Sequence, residues 1–129
     1  MFFDQPRENC GSQRLLQKEV IELVHLYNQK KFPTLIKQAD TLLKQYPKVL
    51  VIWILLGSTF AKTGNLDRAI EAYQQAILLK PDYTDGYNNM GVALKNKGMI
   101  HEAIEAFQKV IAIKPEDVEA HNNLGNALQ

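Results

Sequence analysis

Side chains that could perform acid–base or metal chemistry are few in this sequence, and they are not grouped. The three histidines are His25, His101 and His121, and none has a partner at the spacing typical of a metal site. His101 and Glu102 begin the HExxH pattern of zinc-binding protease helices, but Glu105 occupies the place of the second histidine. The histidines therefore predict no metal site.

Cys10 is the single cysteine, so the chain cannot form an internal disulfide, and it suits a reducing compartment such as the cytoplasm. Arg7 is the only basic residue close to it in sequence, and no general base is evident, so we do not expect a nucleophile. The glycines form no phosphate-binding loop. We accordingly expect a cytoplasmic protein that is not an enzyme and that binds no cofactor.

Two clusters of amide side chains have a spacing that could support binding. Asparagine, asparagine, an apolar residue and glycine occur in order from Asn88 to Gly91 and again from Asn122 to Gly125. An amide group offers both a donor and an acceptor, so a row of amides can bind a peptide backbone with little regard for its sequence. Such binding requires secondary structure that places the asparagines on one surface.

The 34-residue interval between these clusters extends over most of the chain. A regular period of this length indicates stacked supersecondary units. The residues that recur at this interval are Pro47, Pro81 and Pro115; Gly57, Gly91 and Gly125; Gly64 and Gly98; and the pairs Ala69-Ile70 and Ala103-Ile104.

Each period is predicted to form a helix hairpin. Apolar or small residues from Trp53 to Phe60 follow the i, i+3, i+4, i+7 spacing of one helix face, and those from Ala69 to Ile77 do the same. Between them, Gly64 can adopt the left-handed conformation that ends a helix, and Asn65 can cap the next helix. Pro81 closes the second helix because proline lacks the N–H group that a continuing helix needs.

These residues together resemble the signature of the tetratricopeptide repeat (TPR) family. The resemblance implies an all-α solenoid of about seven helices, wound as a right-handed superhelix. His121 stands at the place of the signature aromatic, so we expect it to be a helix-packing residue. The matching motifs are Trp53-x2-Leu56-Gly57-x2-Phe60, Ala69-x3-Tyr73 and Pro81; Tyr87-x2-Met90-Gly91-x2-Leu94, Ala103-x3-Phe107 and Pro115; and His121-x2-Leu124-Gly125-x2-Leu128.

The repeat register divides the chain into unequal parts. In the first repeat Glu19, Leu23 and Leu35 replace the aromatic residue, the glycine and the alanine of the signature, so this repeat is degenerate. Terminal repeats are often atypical because one of their faces meets no neighbour. The predicted parts are a flexible arm at 1–14 and a TPR domain at 15–129, with a degenerate repeat at 16–49, repeats at 50–83 and 84–117, and a half-repeat helix at 118–129.

Charge and hydropathy exclude several kinds of partner. The 15 basic and 14 acidic residues are interleaved and give a formal charge of +1, so no long-range field favours nucleic acid or an anionic membrane. The longest apolar run, Val49 to Leu56, is far shorter than the ~20 residues of a membrane-spanning helix. It aligns with polar segments of the later repeats, which favours a helix over a buried strand. The partner that we expect is therefore a protein or a peptide.

The resemblance implies that the first helices of the repeats line a concave groove that binds extended peptides. Asn89 and Asn123 occupy the positions at which the TPR array of O-linked N-acetylglucosamine transferases carries its asparagine ladder, and Leu55 interrupts that ladder one repeat earlier. The alternative is that these asparagines only solvate an exposed helix. The predicted groove residues are Val51, Ile54, Leu55, Ser58, Asp85, Asn88, Asn89, Val92, Lys95, Asn96, Glu119, Asn122, Asn123 and Asn126.

The resemblance also predicts one kind of ligand that the groove would not favour. TPR clamps for chaperone C-terminal carboxylates use lysine and arginine on this face, and the corresponding positions here hold Ile54, Asn89, Glu119 and Asn123. A carboxylate terminus would therefore find no pair of cations.

The main functional hypothesis is a protein-interaction scaffold. One alternative is the N-terminal recruiting array of a larger glycosyltransferase or sulfotransferase. Another is a self-assembling module that associates through Leu124 and Leu128, because Gly125 and Leu128 would face a second helix that this sequence does not contain. That unmet contact predicts either a longer array or an edge that another copy covers.

Overall fold

The computed structural model describes the backbone of residues 4–129 and the side chains of residues 16–129. It contains no strand within that part of the chain, which confirms the all-α prediction. None of the helices described is long and apolar enough to cross a membrane. The helices are α1 (Asp4–Asn28), α2 (Phe32–Gln45), α3 (Leu50–Lys62), α4 (Leu66–Leu79), α5 (Thr84–Lys97), α6 (Ile100–Ile113) and α7 (Val118–Leu128).

Helix α1 begins earlier than the repeat register suggests. It starts at Asp4, within residues 1–14, for which the polar composition predicts a flexible arm. The predicted arm is therefore helical from Asp4 onward.

An aromatic ring from the second helix packs on a glycine of the first helix in two of the hairpins. In the α3–α4 hairpin a Cβ atom added to Gly57 would lie 2.7 Å from the ring of Tyr73, and in the α5–α6 hairpin one added to Gly91 would collide with Phe107. Both rings are buried. The helix contact that the sequence predicts at these glycines is therefore made by an aromatic ring, which occupies the space that a side chain on the glycine would fill.

The α1–α2 hairpin achieves the same fit with the sizes exchanged. Leu23 stands at the position equivalent to Gly57, and Ala39 stands at the position equivalent to Tyr73. Both are fully buried in one cluster with Leu35, so the bulky side chain comes from the first helix and the small one from the second. The degenerate repeat is thus a complementary variant of the regular repeats.

The turn inside each hairpin uses a left-handed residue. Gly64 (φ 83°) and Gly98 (φ 94°) end α3 and α5 in this conformation, which glycine adopts without steric cost. Lys30, at the equivalent place after α1, adopts φ 60° although it carries a side chain. Asn65 caps α4 by accepting a hydrogen bond from the backbone N–H of Arg68, as predicted, and Asp117 caps α7 through Ala120.

First helices lie closer to one another than second helices do. Cα atoms of α5 come within 8 Å of Cα atoms in both α3 and α7. No Cα atom of α4 comes this close to one in α2 or α6. The first helices therefore line the inner, concave side of the solenoid, and gaps separate the second helices on the outer side.

We expect a methyl group at the two covered glycines to weaken the fold. Gly57→Ala and Gly91→Ala should each lower the free energy of unfolding by about 1–3 kcal/mol, because the ring must move out of its place. Gly125→Ala is the matched control, since nothing lies within 4 Å of its Cβ position and alanine favours a helix by up to about 1 kcal/mol over glycine. Urea unfolding followed by circular dichroism measures all three. Equal effects at Gly91 and Gly125 would contradict the packing argument.

Candidate functional site

The candidate site is the inner surface that α3, α5 and α7 share, and thirteen of the fourteen predicted groove residues are at least partly exposed. Val51 and Val92 are exposed apolar side chains, at 42% and 37% of their full accessible area. The half-buried members are Ile54, Leu55, Ser58, Asn89, Lys95 and Asn123, and the other exposed members are Asp85, Asn96, Glu119, Asn122 and Asn126.

Asn88 is the exception, because the structure buries it between α5 and α7. Its side chain is 1% exposed, and its amide nitrogen donates to Asp117 Oδ1 at 3.4 Å. The same carboxylate oxygen accepts the capping hydrogen bond from the backbone N–H of Ala120 at 2.8 Å. The prediction that Asn88 binds a ligand is therefore wrong; its amide joins two neighbouring repeats instead.

The α3 part of the inner surface is apolar. Ile54 and Leu55 pack partly against the core, while Val51 faces solvent. Ser58 Oγ lies 3.3 Å from the hydroxyl oxygen of Tyr73, so this side chain is engaged with the hairpin contact. Burial raises the pKa of Tyr73, and the hydrogen bond with Ser58 opposes that rise.

The α5 and α7 parts are rich in amides and carry few charges. Asn89 and Asn123 occupy equivalent, half-buried positions on the two helices. The Nδ2 atom of Asn123 is buried and has no hydrogen-bond partner. A buried donor without an acceptor costs about 1–3 kcal/mol, so this side chain would gain from a rotation that brings the donor to an acceptor.

His121, which stands at the place of the signature aromatic, has a structural role. His121 Nε2 lies 2.8 Å from the carbonyl oxygen of Pro115, and Trp53 Nε1 donates to the carbonyl oxygen of Pro47 at the same distance. Because a carbonyl only accepts, the histidine nitrogen must carry the proton. His121 is nevertheless exposed, so it bonds to the repeat proline without packing in the core. No group of residues in the described part could hold a metal ion.

Gaps between the second helices on the outer side were not predicted from the sequence. The gap between α4 and α6, which we call the outer groove, has a volume of about 710 Å³. Its floor contains Tyr87, Met90 and Leu94 of α5. The equivalent gap between α2 and α4 is smaller, at about 530 Å³. The sequence did contain a signal for this floor, because Tyr87, Met90 and Leu94 are aromatic and apolar positions of the repeat signature.

A family model described as TPR repeat matches residues 57–98 and 97–129, which together are more than half of the chain. The chain therefore belongs to the TPR family. No curated protein sequence matches it as a relative.

Several solved TPR structures have the same fold. The first TPR of Spaghetti (RPAP3), bound to the HSP90 peptide SRMEEVD, has a TM-score of 0.82 at 20% identity, and the match covers 88% of this chain and 90% of that chain. The second TPR domain of human RPAP3, in complex with the HSP70 peptide SGPTIEEVD, gives 0.81 at 19% identity, with 86% and 92% covered. MamA gives 0.80 at 25% identity, with 86% and 61% covered.

The burial of Asn88 predicts a difference from its repeat equivalent, Asn122. Asn88→Ala should lower the free energy of unfolding by about 1 kcal/mol, because it removes the hydrogen bond to Asp117, while the loss of the unpartnered Oδ1 atom offsets part of the effect. Asn122→Ala, at an exposed position, should change it by less than about 0.5 kcal/mol. Urea unfolding of the two variants checks this. A fold insensitive to both substitutions would show that the Asn88 bond contributes nothing.

Proposed function

We propose that this TPR domain is a protein-interaction scaffold whose inner surface binds an extended segment of a partner protein. The observation that carries the proposal is the juxtaposition of an apolar patch on α3 with amide side chains on α5 and α7. An apolar anchor of the ligand would lie near Leu55 and Val51, and its backbone would cross Asn89 and Asn123. The single cysteine suits a reducing compartment, so we propose the cytoplasm as its location.

Similar TPR domains support a peptide ligand of this kind. Both structures of RPAP3 domains named above hold a chaperone peptide with an acidic C-terminal end, EEVD. Here Lys95 is the only cation among the predicted groove residues, and these residues also include two carboxylates, Asp85 on α5 and Glu119 on α7. We therefore propose a ligand without a clustered acidic terminus, since two carboxylates of the groove would repel it.

The asparagines favour recognition of backbone over recognition of side chains. Asn89 and Asn123 can each donate to a peptide carbonyl and accept from a peptide N–H. The Nδ2 atom of Asn123 is buried, so this side chain must rotate before it can donate to a peptide carbonyl, and it gives up no hydrogen bond when it does. The likeness to the asparagine ladder of O-linked N-acetylglucosamine transferases rests on these two residues. The alternative function, a recruiting array in a larger glycosyltransferase or sulfotransferase, rests on the same two residues.

A peptide library tests the inner surface directly. Peptides selected on the wild-type domain should bind the Asn89→Ala/Asn123→Ala variant about tenfold or more weakly, because two amide hydrogen bonds contribute about 1 kcal/mol each. Fluorescence anisotropy measures the affinities. The matched control is Gln74→Ala/Gln75→Ala, which removes two exposed amides from α4, a second helix.

The control variant should bind the selected peptides as the wild type does. Both variants should keep the wild-type helical content, because the substituted side chains are not buried in the core. If affinity were the same with and without Asn89 and Asn123, the asparagines would only solvate the helix. The SRMEEVD peptide should bind more weakly than the selected peptides, and equal affinity would argue against the proposed ligand chemistry.

A second candidate function is self-association through α7, and one observation favours it. Leu128 is 66% exposed, whereas Phe60 and Leu94 at the equivalent positions are 5% and 6% exposed. Gly125 is likewise open, although Gly57 and Gly91 are covered by rings. We propose that Leu124 and Leu128 of two copies pack together about a twofold axis, which buries both edges.

Sedimentation tests this edge. The mass of the wild-type domain should rise with protein concentration, and Leu128→Glu should abolish the rise because it places a charge in the apolar contact. Leu78→Glu is the control, since Leu78 is 72% exposed on α4 and lies outside the edge. A wild-type domain that stays monomeric at high concentration would refute self-association, without bearing on the inner surface.

A further inference from the structure

The outer groove differs from the inner surface in both shape and charge. It lies between α4 and α6, two helices of 14 residues each, and its open side faces away from the inner surface. Tyr87, Met90 and Met99 are half-buried in it, so apolar surface remains accessible at its floor. Nothing in the function proposed above uses this surface.

The equivalent gap between α2 and α4 is narrowed by an arginine. There the guanidinium of Arg68 lies 4.9 Å from the centre of the Phe60 ring, so it covers part of the apolar floor. In the outer groove Leu94 replaces Phe60 and Glu102 replaces Arg68. The two replacements remove both the ring and the cation that stacks on it, so the floor of the outer groove stays open.

The rim of the outer groove is acidic. It contains the carboxylates of Asp67, Glu71, Glu102 and Glu105 and two lysines. Lys97 pairs with Asp67, and Glu71 pairs with Arg68 at 3.7 Å. Glu102 and Glu105 form no salt bridge with any residue whose side chain the structure describes. Two carboxylates on α6 are therefore available to a ligand.

We propose that the outer groove binds a basic amphipathic helix of a partner protein. Apolar side chains of that helix pack on Met90 and Met99, whose unbranched thioethers adapt to different shapes. Lysine or arginine side chains on its flank pair with Glu102 and Glu105. A helix fits better than an extended strand because the site is a channel between two helices and presents no sheet edge to extend. About four turns of helix match the length of α4 and α6.

The probe is a synthetic 14-residue peptide of leucine, lysine and alanine. Its leucines follow the i, i+3, i+4, i+7 spacing and its lysines flank them, so it forms a basic amphipathic helix. Methyl NMR of the full chain labelled at methionine should show saturable shifts at Met90 and Met99. A peptide of the same composition, scrambled so that its leucines do not share a face, should bind at least about tenfold more weakly, since it cannot bury them together.

Charge reversal tests whether the acidic rim of the outer groove binds the probe. Glu102→Lys/Glu105→Lys should weaken the probe about tenfold, because attraction becomes repulsion at two positions. The matched control is Glu19→Lys/Glu22→Lys, which makes the same change of net charge at exposed positions of α1. The control should keep at least half of the wild-type affinity. Asn89→Ala/Asn123→Ala should also leave it unchanged, which separates this site from the inner surface.

A second variant copies the arginine and the ring of the α2–α4 gap into the outer groove. Leu94→Phe/Glu102→Arg should reduce probe binding while circular dichroism stays that of the wild type, because the arginine can then stack on the ring. Equal binding of the amphipathic and scrambled peptides would overturn the proposal. So would unshifted Met90 and Met99 methyls, or a control reversal on α1 that weakens binding as much as the reversal on α6.

Discussion

The contact between an aromatic ring and a glycine controls the geometry of this domain. Tyr73 lies on Gly57 and Phe107 lies on Gly91, so each ring occupies the volume that a side chain on the glycine would fill. The backbones of the two helices in a hairpin can then approach closely, and this contact helps to set the angle between them. Repetition of that angle brings the first helices together and keeps the second helices apart. Both the inner surface and the outer groove result from this constraint.

The sequence predicted the parts of the fold that depend on local pattern. Helix spacing, the glycine turns and the repeat interval all lie within short stretches, and the structure confirms the hairpins that they indicate. The register also located the buried positions of the degenerate repeat, where Leu23 and Ala39 exchange the usual sizes. A comparison of residue sizes across both helices would have revealed this exchange, whereas a search for the signature glycine could not.

The candidate site was predicted less completely, because its surroundings depend on contacts between repeats. A helical wheel places Asn88 and Asn89 on the same exposed flank of α5. It carries no information on Asp117, which lies 29 residues further along the chain and withdraws Asn88 into the interface. The outer groove was missed for a similar reason. Such a gap is narrowed when a side chain of the second helix can cover an apolar side chain of the first helix, and this depends on a pair of residues far apart in the chain. Arg68 and Phe60 form such a pair, and Glu102 and Leu94 do not.

The left-handed conformation of Lys30 weakens the α1–α2 hairpin relative to the two hairpins that follow it. A residue with a side chain loses about 1–2 kcal/mol in this region, a cost that Gly64 and Gly98 avoid at the equivalent turns. In a solenoid each unit contacts only its neighbours, so the stability of one hairpin is not averaged over the whole chain. The α1–α2 hairpin should therefore open more readily than the α3–α4 and α5–α6 hairpins, and amide exchange should be faster in it than in those two.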